Sequence, residues 1–242
     1  MAANGTFRLA AVADLHCRQD QHGRFRELVK MVNGEADGLV LPGDLTDHGQ
    51  IDEVKTLAEA LGGLRVPCAA VLGNHDYEGG AVKEIVRILG EVKVIVLDGD
   101  HAIFDRQLGI AGVKGFGGGF DKAMLQAFGE PAIKAFVQEA VNESLKLEAA
   151  LAQLDVDKKV VLMHYAPIAA TVAGEEIQLR PFLGTSRLTA PLEAFEPIAV
   201  FHGHAHHGAL EGRTPKGIPV YNVAMPLLRK LMEDRRFRVF EL

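Results

Sequence analysis

Five short apolar runs punctuate this chain of 242 residues, at positions 7–13, 38–41, 68–72, 160–163 and 198–201. Each is too short for an ordinary helix and is rich in Val, Leu, Ala or Ile. Near-continuous apolar character over so few residues suits strands buried on both faces. Such strands belong in a layered α/β core.

The segments between the runs supply those layers. Residues 23–35 carry Phe25, Leu28, Val29 and Val32 at helical spacing, and 52–61 and 81–89 repeat the pattern. Strand–helix–strand order predicts crossovers and a mostly parallel start to a sheet. The rhythm then changes: 92–97, 101–106 and 108–112 are short and closely spaced, with Gly99-Asp100 as a turn, and read as antiparallel strands. A glycine-rich stretch at 114–121 precedes a long helical pattern over about 131–154. Residues 209–211, 218–223 and 237–240 read as further strands. Pro and Gly gather nowhere as a linker, so the expectation is a single α/β domain spanning 1–242.

A net charge of −6 argues against a nucleic-acid coat or a membrane-surface binder, which carry excess Lys and Arg. The same charge permits a small phosphorylated substrate, because bound metals reverse the local field. Two cysteines, Cys17 and Cys68, make no disulfide framework. Residues 1–6 lack a secretory pattern, and no run approaches roughly 18 apolar residues, so a cytoplasmic protein without a membrane span is expected. Oligomeric state is open; Leu227, Leu228, Leu231 and Met232 suit either core or interface.

The chemistry stands where the runs stop. After the first comes Asp14-Leu15-His16, after the second Gly43-Asp44, after the third Gly73-Asn74-His75-Asp76, after the fourth His164, and after the fifth Gly203-His204-Ala205-His206. Ligands of open α/β sheets collect at the carboxyl ends of strands, so all five groups can meet at one edge. Asp offers hard oxygen, His a ring nitrogen and Asn a neutral carbonyl. Without a Cys-x-x-Cys pair a closed structural zinc site is not indicated. The candidates are too many for one four-coordinate ion and suit two, and mixed oxygen and nitrogen donors fit Mn, Fe, Zn or Co better than Ca or Mg. The glycines before Asp44, Asn74 and His204 let the backbone turn sharply and come close to an ion.

This order of motifs, Asp-x-His, Gly-Asp, Gly-Asn-His-Asp, His and Gly-His-x-His, resembles the calcineurin-like metallophosphoesterase superfamily, and the match runs from Asp14 to His206. The resemblance implies a four-layered α/β/β/α sandwich with two mixed sheets. It implies two divalent metal ions: Asp14, His16 and His206 on the first, Asn74, His164 and His204 on the second, and Asp44 between them. It implies that His75 contacts the substrate phosphate and protonates the leaving oxygen, with Asp76 orienting His75. The activity implied is hydrolysis of a phosphate ester, a small phosphodiester for preference, by a hydroxide held between the metals. Phosphomonoesterase and nuclease activity are alternatives on the same site, and a scaffold without catalysis is a third.

Other residues weigh less. Arg180 and Arg187 lie in the segment 171–191, and guanidinium groups suit phosphate, so both are candidate substrate contacts. His22, His48 and His101 read as surface or turn residues and His202 as a core histidine. His207 should point away from His206. Cys17 reads as a buried thiol, and Asp47 as either a support for the metal site or a helix cap.

Overall fold

Each apolar run divides its side chains between two cores. Leu9 and Ala11 join one buried cluster while Ala10 and Val12 join another, and Leu39 and Val40 split the same way. That is the period-two alternation of a strand with no solvent face. The computed structural model describes residues 6–232 and 236–242. Its first half runs β1 (Arg8–Ala11), α1 (Arg26–Glu35), β2 (Gly38–Pro42), α2 (Ile51–Leu61), β3 (Cys68–Val71), α3 (Asn74–Glu78), α4 (Val82–Glu91) and β4 (Val94–Val96). The second half runs β5 (Asp100–Phe104), β6 (Leu108–Val113), α5 (Pro131–Ala152), β7 (Lys158–Met163), α6 (Arg180–Leu183) and α7 (Thr189–Phe195). It ends with β8 (Ala199–His202), β9 (Glu211–Arg213), β10 (Pro219–Asn222), α8 (Met225–Leu231) and β11 (Arg238–Glu241).

Two mixed sheets result, one in the order β11-β1-β2-β3-β4 and one in the order β5-β6-β7-β8-β10-β9. The inner cluster, with Leu9, Val40, Val71, Ile110, Leu162 and Phe201, lies between them. An outer cluster packs α1, α2 and α4 on the first sheet through Leu28, Leu57 and Ile85. The other outer cluster packs α5 and α7 on the second through Leu147, Leu151 and Leu192. This is the expected α/β/β/α sandwich.

The segment around β4 corrects the sequence reading. Val94–Val96 pairs parallel with β3, with Cys68 opposite Val94, instead of beginning an antiparallel run. α4 carries the chain back to the starting edge, and a helical crossover of that kind yields a parallel neighbour. The chain then changes sheets at Gly99, whose φ is +89°. β5 and β6 are antiparallel as expected, with Asp100 opposite Gly112. β6, β7 and β8 are parallel, joined through α5 and α7. Leu227 and Leu228 lie in the core, whereas Leu231 is exposed.

Candidate functional site

The strand ends of both sheets open onto one edge, and the backbone there is bent against preference. Asp14, His16, Asp44 and His204 have φ values of 57°, 42°, 48° and 69°. Side chains rarely adopt this left-handed region, and its use clusters at functional sites. Main-chain bonds hold it: the Asp14 amide donates to the Gly43 carbonyl at 3.0 Å and the His16 amide to the Asp44 carbonyl at 3.1 Å. The glycines before the candidate ligands make room for other ligands. A Cβ on Gly73 would lie 2.0 Å from Asp44 Oδ1, on Gly203 2.3 Å from Asp14 Oδ2, and on Gly43 2.5 Å from His164 Nδ1.

These bends bring the seven candidate ligands together. His206 Nε2 lies 2.9 Å from Asp14 Oδ1, and His16 Nε2 lies 3.9 Å from the same oxygen. His164 Nε2 lies 3.0 Å from Asn74 Oδ1 and 3.3 Å from Asp44 Oδ1. The His164 and His204 rings are 4.7 Å apart. Asp44 stands between the groups, its other oxygen 3.9 Å from His16 Nε2. Asp14, His16 and His206 form one set of converging donors, and Asp44, His164 and His204 another. His75 also converges with His16 and Asp44, its Nε2 4.0 Å from Asp44 Oδ2.

The donor set fits cations. Asp14, Asp44 and His164 are buried. Both ring nitrogens of His16 are shielded from solvent with no hydrogen bond among the described residues; Asp47 Oδ1 lies 3.4 Å from Nδ1, and Nε2 faces the carboxylates of Asp14 and Asp44 at 3.9 Å. Orphaned buried nitrogens are costly unless something binds them. Burial would raise the Asp14 carboxyl, but the His206 hydrogen bond and the neighbouring imidazoles outweigh it and leave it below its usual range. Burial acts on Asp44 the same way, and His164 outweighs it there. Burial lowers His16, and with the charge of His164 it takes His204 down to about 3, so both stay neutral, the form that donates a lone pair. Burial would lower His164 too, but the Asp44 charge lifts it to about 9. Behind the ligands, His164 Nδ1 lies 3.1 Å from the Pro42 carbonyl and His204 Nε2 3.2 Å from that of Phe182.

One expectation needs correction. Asp76 does not orient His75. Its carboxylate accepts from Leu45 N, Thr46 N, Thr46 Oγ1 and Gly73 N at 2.6–3.2 Å. Asp76 is the third residue of the five-residue helix α3, where a side chain reaches back to the amide before the helix. The partner of His75 is instead the Asp47 carbonyl, 2.6 Å from Nδ1. Asp47 therefore supports the site, and α2 is capped by Gln50 and Glu53. The arginines are held by neighbouring carbonyls. Arg180 donates to the Glu175 carbonyl and Arg187 to the Leu125 carbonyl, and among the described residues no hydrogen bond or ion pair joins either to the cluster. These guanidinium groups tie loops together.

Of the remaining residues, Cys17 is buried, and burial pushes its thiol up to about 12, so it is inert. His202 is buried and its burial takes it to about 4. His22 and His48 are exposed beside Glu59 and Glu78, and His207 is exposed.

Sequence reasoning offered 114–121 as a segment that could line the substrate pocket, but did not single out Lys114 within it, nor Tyr165. Lys114 directly follows β6, and its carbonyl accepts from His164 N at 2.9 Å and Tyr165 N at 3.2 Å. Burial lowers the pKa of its ammonium. The Tyr165 ring centroid lies 4.5 Å from that of His204. The available signals were a lysine directly after a buried strand and a tyrosine next to a candidate ligand.

Comparison with known proteins agrees with this arrangement. The family model described as calcineurin-like phosphoesterase matches residues 7–208. The chain is 24% identical over 214 residues to the glycerophosphodiester phosphodiesterase GpdQ of Enterobacter lignolyticus (strain SCF1), covering 82% of this chain and 70% of that one. A 58-residue stretch is 33% identical to a protein of Ruthia magnifica subsp. Calyptogena magnifica named "Probable cyclic nucleotide phosphodiesterase", about a quarter of each chain at 24% and 25%. The crystal structure of phosphopantetheinyl hydrolase (PptH) from Mycobacterium tuberculosis superposes with a TM-score of 0.72 at 14% identity, covering 98% of this chain and 97% of that one, which is a likeness of fold. A family match across most of the chain, on a sandwich whose strand ends gather carboxylates and imidazoles, means that this protein belongs to the calcineurin-like phosphoesterase family and is a metal-dependent phosphoesterase.

Proposed function

We propose that the protein hydrolyses a small phosphodiester at a two-metal centre. The observation that carries the reading is the position of Asp44, with one carboxylate oxygen facing His16 and the other facing His164. Asp14, His16 and His206 would hold one ion, Asn74, His164 and His204 the other, and Asp44 both. Divalent Mn, Fe, Zn or Co there would supply Lewis acidity and lower the pKa of a water. The relatives named as phosphodiesterases support the diester preference. Among the described residues no helix is long and apolar enough to cross a membrane. The two free, buried cysteines suit the reducing cytoplasm.

The protein's own contribution is placement. The Asp47 carbonyl takes the Nδ1 side of His75, which leaves Nε2 on the face turned to Asp44. A proton carried there can pass to the departing oxygen. Asp76 fixes the loop after Asp44 and the amide of Gly73, so both strand ends keep their spacing.

The test is turnover of bis-p-nitrophenyl phosphate and p-nitrophenyl phosphate by protein reconstituted separately with each metal. Diester turnover should exceed monoester turnover. H75N should lower kcat by roughly 10²–10⁴-fold while two metals per chain remain bound. A protein carrying two ions yet inert towards both esters would overturn the reading.

A further inference from the structure

The half-buried ammonium of Lys114 stands one tyrosine ring away from the candidate metal ligands. Its Nζ lies 4.8, 5.4 and 5.6 Å from the ring centroids of Phe116, Tyr165 and Tyr77. Tyr165 leads to the cluster, its ring 5.4 Å from that of His164. Tyr77, on α3, closes the cage from a different element. Phe116 continues outward to Phe136 at 4.8 Å, and Phe136 to the exposed Phe182 at 6.3 Å.

The cage holds the cation without neutralising it. Lys114 Nζ donates to the carbonyl of its neighbour Gly115 at 2.8 Å. No carboxylate lies within 4.0 Å of it among the described residues, although Glu143 close by pairs with Lys146 at 2.8 Å. An ammonium has three donors, and ring faces attract its charge without accepting strong hydrogen bonds. Withdrawing such a group from water is costly unless an anion completes it. A merely structural lysine would sit on Glu143; this one keeps donors to spare against the ring that packs on His164.

We propose that Lys114 is a substrate-binding residue that selects phosphoesters carrying a second anionic group, a carboxylate or a further phosphate. The aromatic cage holds the ammonium in place and offers flat apolar surface to the moiety that joins the two charges. The inference rests on the metal-centre reading, because the reacting phosphate must be anchored for Lys114 to read the distal charge.

Calorimetric titration of metal-loaded protein with phenylphosphonate and with its 2-, 3- and 4-carboxy derivatives tests this. At least one carboxylated isomer should bind about 10-fold or more tightly than phenylphosphonate, the range of a charge-assisted hydrogen bond. K114M should abolish the preference while leaving phenylphosphonate affinity unchanged, and K114R should restore part of it. Circular dichroism and thermal melting check that the variants fold, and K114R carries the test if K114M does not. No preference in the wild type, or a preference that survives K114M, overturns the proposal. Equal weakening of every phosphonate also overturns it, since Lys114 would then hold the reacting phosphate. Failure of the metal centre reads differently: the ions are not taken up before any phosphonate is added, and both ideas fall together.

Discussion

Single side chains at this site do their work by filling space that a neighbour has left. Gly73 and Gly203 have no Cβ because carboxylate oxygens of Asp44 and Asp14 occupy those positions. The candidate ligands were legible in the sequence for the same reason: a polar side chain directly after a buried strand has one direction to point, and the glycines marked where two such chains meet. What Asp76 does was not legible. Its neighbour in sequence is His75, but a helix sends successive side chains in different directions, and an acid at the third helical position turns back to the helix start. Four donors converge on its carboxylate. In D76N an amide NH2 would face donors in place of an acceptor. That variant should lose about 1–3 kcal/mol of stability, read as a lower urea midpoint. A midpoint equal to the native one would show that the carboxylate does not hold the Asp44 loop.

At the level of elements, the strands and long helices could be read from periodicity, and their partners only in part. β4 is three residues long, and Val-Ile-Val carries no mark of direction; the return through α4 decided it. The aromatic cage was hidden because Tyr77, Lys114 and Tyr165 come from α3, the loop after β6 and the loop after β7, far apart in sequence. The glycine-rich segment after β6 is fastened from α5. Glu143 is fully buried and accepts from Gly115 N at 2.7 Å, while Lys146 pairs with its other oxygen at 2.8 Å. Gly115 has φ of +75°, so its amide is turned inward and needs that acceptor. E143L should cost about 1–3 kcal/mol and speed hydrogen exchange at Gly115, whereas E143Q, which keeps an oxygen, should lose less. A leucine variant with native stability and native exchange would show that the loop is held from elsewhere.

Across the whole molecule, the candidate ligands are shared between the two sheets. Asp14, His16, Asp44 and Asn74 follow strands of the first, and His164, His204 and His206 follow strands of the second. The inner apolar cluster binds the sheets along their length, but at the ligand edge the contact is made by polar groups, including the buried carboxylates of Asp14 and Asp44, whose like charges oppose each other. Cations at that edge would join the sheets and relieve the repulsion between Asp14 and Asp44. Folding and metal uptake are therefore linked. Free metal at 100 times its Kd contributes about 2.7 kcal/mol per site, or about 5–10 °C in Tm for a chain of this size. Chelation should lower Tm by that amount for each ion removed, in one cooperative transition, because both sheets share the inner core. D44N, which loses the group facing both sites, should melt at nearly the same temperature with and without chelator. Equal chelator sensitivity in the wild type and D44N would place the stabilising ions elsewhere, and two separate transitions would mean that the sheets fold independently.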